Sequence, residues 1–380
     1  MVGAKFHSTS GSAYLLSYDA TTRRWDHAAE FVPGGASANG AFDGTSQGSS
    51  YDQFGFDVAV SRDWVAVSAP LDVAGTGKVS LYRLDDVRGG DRLEPHADLV
   101  AADGEYQARF GSSLAVDGMA LAVGAARDRD GVGSAYVFRH AAGGWTQAAK
   151  LAPDDASRDS QGNFGLSIAV LDDDGVVVVG APYDGTQGRR RNGSVYVYSS
   201  SGQSAYALVQ KIVPSELLGG DQFGYSLAAE TSADPDTNAK ETRIAIGARL
   251  RDDKGIDSGA VYVYVRREGD AQFSLEQRLV SQDWSPGAEL GTDVTMYDRR
   301  IIAGAKKRGG HGGAHYFRLE GATWSEKGVV TPSNAAAGNN DGDDFGSAVA
   351  LTSGVALVGS YSNDDVGEDG GTMYSYAVCD

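Results

Sequence analysis

FGSSLAV at Phe110–Val116, LAVGAA at Leu121–Ala126, GSAYVFR at Gly133–Arg139 and WTQAAKL at Trp145–Leu151 follow one another within residues 110–151. Each is a short run rich in aliphatic, aromatic and β-branched residues, bounded by glycine or polar residues, and so reads as a β-strand. Runs of about five to seven residues are ordinary strand lengths. The first (A) opens on Phe-Gly. The second (B) is apolar throughout and closes on Gly-Ala, as expected of a strand buried on both faces. The third (C) alternates aromatic and small residues, which predicts half-burial. The fourth (D) carries a bulky residue well before its end.

Outward from this stretch, the same quartet recurs along the chain with a period of 54 to 67 residues. Strand A returns as FGFDVAV from Phe54, FGLSIAV from Phe164, FGYSLAA from Phe223, LGTDVTM from Leu290 and FGSAVAL from Phe345. Strand B returns as VAVSAP from Val65, VVVVGAP from Val176, IAIGAR from Ile244, IIAGAK from Ile301 and VALVGSY from Val355. Strand C returns as GSVYVYS from Gly193, GAVYVYV from Gly259, GAHYFRL from Gly313 and GTMYSYA from Gly371; strand D as YALVQKI from Tyr206 and FSLEQRL from Phe273. No window sustains a helical 3.6-residue period, so helix is expected to be nearly absent. A four-stranded antiparallel unit repeated in this way predicts an all-β protein, a β-propeller whose blades are the repeats. The competing β-sandwich does not repeat one unit six times.

Phe-Gly opening strand A and Gly-Ala-Pro closing strand B resemble the FG-GAP signature. The resemblance runs from Val2 to Ala377. It points to the propeller of integrin α subunits, and closer still to FG-GAP repeat proteins of bacteria and protists. It implies a single propeller over residues 1–380, with units starting near 1, 54, 110, 164, 223, 290 and 345. The two end units are partial. VGAK at Val2, GSAYLLS at Gly11 and WDHAAEF at Trp25 match strands B, C and D, while the last unit supplies A, B and C. Counting both gives seven blades. The alternative gives Trp25–Phe31 to the last blade as its strand D, closing six blades by a chain-end clasp.

Composition narrows the partners. A net charge of −18 repels nucleic-acid phosphates and anionic lipid, and fits cations, basic partners or neutral glycans. The single cysteine, Cys379, excludes an internal disulfide. No apolar run approaches the ~20 residues of a membrane span. The opening Met-Val-Gly-Ala-Lys does not read as a signal peptide, and the chain is expected to be part of a longer one. The resemblance places it outside the cell or at its surface.

In an up-and-down blade the A–B and C–D turns share one end, and the B–C and D–A connections share the other. Here most A–B turns are short, whereas the B–C and D–A loops are long, glycine-rich and acidic. Long loops on a rigid scaffold are where binding sites concentrate, and the resemblance implies ligand engagement on that face. The candidate ligand-binding residues are Asp128, Asp130, Arg251, Asp252, Asp253, Lys306, Lys307, Arg308, Asp364 and Asp365. Lys306–Arg308 and Arg189–Arg191 form basic spots that can orient an acidic ligand.

The resemblance also implies calcium in the A–B loops. Such a site needs oxygen ligands at alternate positions of a tight loop. Five of the six A–B turns are too short or lack the spacing. The sixth presents Asp234, Asp236 and Asn238 at ligand spacing, with the Lys240 carbonyl and Thr242 to complete a set. Ala239 stands where a turn glycine is usual, and Thr242 where a carboxylate is usual; both weaken the site. Asp172–Gly175 reads as an Asp-Gly hairpin turn, and Asp128-Arg-Asp130-Gly131 as a second, weaker metal candidate. His311 and His315 are four apart but not on a helix, so they make no zinc pair. No nucleophile elbow, phosphate loop or acid–base pair stands out. The expected function is therefore an adhesion or recognition module for a protein or glycan, not an enzyme. A structural repeat domain of a larger surface protein and a polysaccharide-processing propeller enzyme are the alternatives.

Overall fold

The computed structural model describes residues 1–5, 11–19, 21–22, 24–33, 52–88, 94–153, 161–185, 188, 190–200, 205–235, 237–283, 285–332, 342–363 and 371–378. These form seven antiparallel sheets in which strands adjacent in sequence are adjacent in space. The first sheet is Val2–Ala4, Ser12–Asp19 and Arg24–Phe31. The second is Val58–Val60, Trp64–Ala69, Lys78–Arg83 and Ala97–Leu99. The third is Phe110–Asp117, Ala120–Ala125, Ser134–Ala141 and Gly144–Leu151. The fourth is Ser167–Leu171, Val176–Ala181, Ser194–Ser200 and Tyr206–Ile212. The fifth is Phe223–Ala233, Lys240–Ala248, Ala260–Arg267 and Ser274–Leu279. The sixth is Leu290–Tyr297, Arg300–Ala305, Gly313–Glu320 and Thr323–Val330. The seventh is Phe345–Leu351, Val355–Ser360 and Thr372–Ala377.

This is a seven-bladed β-propeller, all-β as the repeats require. Arg24–Phe31 pairs with Ser12–Asp19, from Ala13↔Phe31 to Asp19↔Arg24, and is therefore strand D of the first blade. The six-blade alternative, which lends that strand to the last blade, is set aside. Helix is confined, among the described residues, to short turns such as Asp72–Gly75, Leu84–Arg88 and Asp128–Gly131. No described helix is long and apolar enough to cross a membrane.

The chain divides into two compact units, Met1–Val177 with Tyr198–Ala207, and Val178–Val197 with Leu208–Asp380. In the first unit, Phe110 is fully buried between Val79 and Leu81 of the second sheet and Leu121 and Tyr136 of its own. In the second, Leu290 takes the same place between Val261 and Leu279 and Ile301 and Phe317. The B strands are buried along their whole length, as in Trp64–Ala69 and Ala120–Ala125. Strand C departs from its expected half-burial. Ser134–Phe138 and Ala260–Val265 are buried on both faces, because an interior strand is covered by the sheets on either side. Half-burial falls instead to the D strands, as in Tyr206–Ile212.

The FG-GAP glycines have one physical cause, clearest between the fifth and sixth blades. Gly259 opens strand C with φ +80°, and a Cβ there would sit 2.2 Å from both the backbone nitrogen and the carbonyl oxygen of Leu290. A Cβ on Gly247 would lie 2.2 Å from the Gly291 carbonyl oxygen. The backbones approach this closely because the Leu290 N–H donates to the Ser258 carbonyl at 3.0 Å, tying one blade to the next. The corresponding ties are Phe164 N–H to Val132 O at 2.9 Å and Phe345 N–H to His311 O at 3.2 Å. The last of these shows that Gly312, not Gly313, is the glycine of the sixth blade. The register therefore moves by one, and His315 stands where the other blades have Tyr136, Tyr196 or Tyr262.

A second tie joins D strands. The Gln277 amide donates to the Trp324 carbonyl and accepts the Trp324 N–H, both at 2.8 Å. Gln210 does the same to Phe273, again at 2.8 Å in both directions. A third tie joins A strands. Asp57 accepts the Leu114 N–H of the next blade at 2.7 Å, and Asp293 accepts that of Val349 at 2.7 Å.

Candidate functional site

Within each sheet the antiparallel alternation places the long B–C and D–A loops together. The observed A–B turns are short by comparison, down to the two residues between Asp117 and Ala120 or between Tyr297 and Arg300. Asp172–Gly175 is a hairpin turn, closed by the Gly175 N–H on the Asp172 carbonyl at 3.0 Å.

Most of the candidate charges on the long loops are committed to holding the loops themselves. In the first unit Asp128 is fully buried, with Oδ2 2.8 Å from Lys150 Nζ. The same ammonium lies 2.7 Å from Asp103, which also accepts the Tyr136 hydroxyl at 3.0 Å. Burial alone would lower the Lys150 pKa, but Asp103 and Asp128 outweigh it and raise the group above its ordinary value. Asp130 stands beside Asp128 in a left-handed conformation, φ 59°. Neither residue meets a third carboxylate in a cation-binding group.

In the second unit Arg251 reaches Asp221 at 2.8 Å, Asp253 at 3.2 Å and the Glu216 carbonyl at 2.9 Å. Asp253 is also 3.1 Å from Arg278. Asp252 accepts the Asp257 N–H at 2.9 Å, closing its own loop. Lys306 lies 3.9 Å from Glu289, Arg308 is 2.7 Å from Asp283, and Lys307 is ion-paired with Asp344. Asp364, Asp365 and Arg189 lie outside the described residues. The neighbouring Asn363 is buried and donates to Asp343 at 2.9 Å.

Repeat register finds residues that the charge pattern missed. The position before each Phe-Gly, or Leu-Gly in the sixth blade, has a left-handed backbone, φ 52–58°, at Gln53, Arg109, Asn163, Gln222, Glu289 and Asp344. In the second unit two of these hold Arg249, whose Nε donates to Gln222 at 2.8 Å and whose Nη1 lies 3.3 Å from Glu289. The Arg249 guanidinium also lies over the Tyr225 ring, 3.9 Å from its centroid. Around this fixed polar frame the same loops expose apolar groups. Ile256 is 74% exposed, Tyr361 56% and Leu218 51%. The Leu218 N–H donates to the Asp221 oxygen that also accepts Arg251, so Leu218 and Arg251 stand side by side.

The described oxygens of the candidate calcium loop are engaged with other partners. Asp234 caps its own turn, accepting the Thr237 N–H and hydroxyl at 2.8 Å each, and its other oxygen lies 3.3 Å from Arg299. The Lys240 carbonyl accepts the Glu268 N–H at 2.9 Å. Thr242 is buried inside strand B, opposite Thr231, with the two hydroxyl oxygens 3.3 Å apart. Asn238 has φ 59° and carries the turn that the missing glycine would make. Asp236 lies outside the described residues. Among the described residues no three His, Cys, Asp or Glu side chains gather at metal-binding distances. His311 and His315 part company: the His311 ring contacts the Gly312 carbonyl, while His315 is buried with its Nδ1 2.5 Å from Glu326.

The fold and its ties define an FG-GAP-type propeller. The FG-GAP repeat family matches residues 45–82, 95–138, 145–198, 206–264 and 324–376, and the chain belongs to that family. Integrin alpha-7 of Rattus norvegicus is 32% identical over 173 residues, covering 42% of this chain and 14% of that protein. Integrin alpha-7 of Homo sapiens is 30% identical over 201 residues, covering 47% of this chain and 16% of that one. The match thus spans about a sixth or less of these relatives. A chain in the crystal structure of the mitotic checkpoint complex superposes with a TM-score of 0.54 at 10% identity, over 100% of this chain and 89% of that one. At that identity the likeness concerns the fold alone.

Proposed function

We propose that this chain is a recognition module of the integrin-α type, binding a protein ligand through the long B–C and D–A loops at the outside of a cell. Glycan is the second ligand class compatible with the same loops. The observation that carries the reading is the pairing of rigid loops with exposed apolar tips. Arg251, Asp221 and Asp253 fix the backbone of the fifth blade's loops, and Leu218 and Ile256 project from that fixed frame. Interface centres are depleted in charge and rich in large side chains, so such tips are contact residues and the ion pairs are their supports. Binding is also the chemistry favoured over catalysis, since the charged groups of these loops face their own partners.

The test is a surface-immobilised chain probed with candidate extracellular proteins and with a glycan array, in parallel with an Ile256→Ser, Leu218→Ser double variant. A ligand held by the parent chain and released at least about tenfold faster by the variant supports the reading, in line with contact residues acting on dissociation. A ligand held equally by both places recognition elsewhere and refutes this assignment of the surface.

A further inference from the structure

The fifth blade carries the long A–B hairpin, strands Phe223–Ala233 and Lys240–Ala248 joined through residues 234–239. Against its flank lies the two-residue turn of the sixth blade, Asp298 and Arg299, with φ 47° and 60°. Turns of this kind strongly favour Asn-Gly, since both central residues must be left-handed. An arginine held there against its backbone preference is a strained position that the surroundings must stabilise.

The surroundings are carboxylates. The Arg299 N–H donates to Glu230 at 3.0 Å, and its guanidinium lies 3.0 Å from Glu241 and 3.3 Å from Asp234. Behind it the buried Arg243 reaches Glu241 at 2.7 Å and Glu276 at 3.0 Å through each of two nitrogens. The Trp324 indole donates to Glu276 at 2.8 Å, and Arg267 lies 3.3 Å from Glu241. Three carboxylates, Asp234, Glu241 and Glu276, thus face three guanidinium groups, with Glu230 beside them on the Arg299 N–H. Burial raises the Glu230 pKa, against the opposing N–H groups of Arg299 and Asp298.

We infer that Arg299, backed by Arg243, supplies in the fifth blade the positive charge that a bound divalent cation would otherwise bring, so that this hairpin is held without metal. A guanidinium fixed to the chain bridges two carboxylates as a hard cation does, but it neither exchanges with solution nor responds to chelators. The disagreement between the ligand spacing of Asp234–Thr242 and the positions of its oxygens has this cause: the counter-charge comes from the neighbouring blade. It follows that loss of the Arg299 guanidinium takes one positive charge from beside Asp234 and Glu241 and opens the loop to calcium.

The experiment is thermal melting of the whole chain in chelator and in millimolar calcium, with terbium luminescence sensitised by tryptophan as a direct binding readout. The parent chain is expected to melt at the same temperature in both and to give no terbium signal. Arg299→Gln is expected to melt lower in chelator, to recover in calcium, and to sensitise terbium; Asp234→Asn added to it should abolish both. Arg299→Lys, which keeps the charge, should stay indifferent to calcium. A calcium-dependent midpoint in the parent chain, or an Arg299→Gln variant no more responsive than the parent, overturns the proposal. If Arg299→Gln folds only when calcium is present, the proposal stands; if it folds in neither condition, Arg299→Lys responding to calcium refutes it and indifference upholds it.

Discussion

The Gln277 clamp offers a sharp test of how the blades hold together. In the hairpin of the sixth blade, Trp324 pairs with Leu319 beside a two-residue turn. Its N–H and C=O point out of the sheet toward the fifth blade, where the Gln277 amide takes both at 2.8 Å. Trp324 is only 3% exposed, so water does not readily replace the amide. A buried backbone group left unpaired costs about 1–3 kcal/mol, so Gln277→Ala should cost about 2–6 kcal/mol for the two. Gln277→Glu separates the halves of the clamp. The carboxylate still accepts the N–H, but it presents a second negative oxygen to the Trp324 carbonyl. Protonation restores a donor, so the glutamate has a folded-state pKa above its ordinary value. Its stabilising contribution is then present at acid pH and lost as pH rises through that pKa. Urea unfolding of the parent and both variants, at acid and at neutral pH, measures all of this. A loss below about 0.5 kcal/mol for Gln277→Ala, within the range of ordinary surface substitutions, refutes the reasoning. So does a Gln277→Glu variant whose deficit is the same at both pH values.

Asp57 is half-buried between the second and third blades, and burial pushes its pKa from 3.8 to about 6 against the N–H groups of Leu114 and Val58. A raised folded-state pKa means that its contribution is complete below about pH 4 and falls away through pH 6, by at most about 3 kcal/mol. Asp57→Asn should flatten that part of the stability–pH profile, as read from urea midpoints. Gly259→Ala places a methyl 2.2 Å from the Leu290 backbone at φ +80°, and should yield a chain that is insoluble or melts far below the parent, as scanning calorimetry would show. Lys150→Met leaves the Asp128 carboxylate buried without its ammonium, a loss of about 3–5 kcal/mol by denaturant unfolding.

The architecture was legible because a propeller writes the same quartet six times, and each Phe-Gly marks a place where two backbones touch. Blade count was less so. It depended on whether Arg24–Phe31 pairs with Ser12–Asp19 or elsewhere, and both strands look the same as sequence. The one-residue register of the sixth blade was hidden by the doubled Gly312-Gly313, of which the first bridges to Phe345. Strand C was misjudged because alternation of Tyr and Val looks half-exposed, whereas Tyr136 and Tyr262 are wholly buried as rings. At the site, the acidic and basic loop residues were seen but not their roles. Arg251 and Asp221 are 30 residues apart, and Lys307 and Asp344 37 apart. Pairs so distant leave no local signature.

That separation decides how the ligand surface must be probed. On a chain of net charge −18, neutralising loop carboxylates is the obvious experiment. Yet Asp253 lies between Arg251 and Arg278, and Asp252 holds the Asp257 N–H. Changing either frees a guanidinium or loosens a turn before it removes any contact with a ligand. Asp253→Asn is therefore expected to lower the melting midpoint, and any loss of binding should follow from loop movement. Ile256→Ser removes only an apolar side chain and leaves the backbone hydrogen bond from Gly287 N–H to the Ile256 carbonyl intact at 2.7 Å. It should leave the midpoint within about 0.5 kcal/mol of the parent, as surface substitutions do, while shortening the life of the complex. Were the two variants to exchange these effects, with Asp253→Asn stable but unable to bind and Ile256→Ser unstable but binding, the acidic groups would be the contacts and the apolar tips the scaffold.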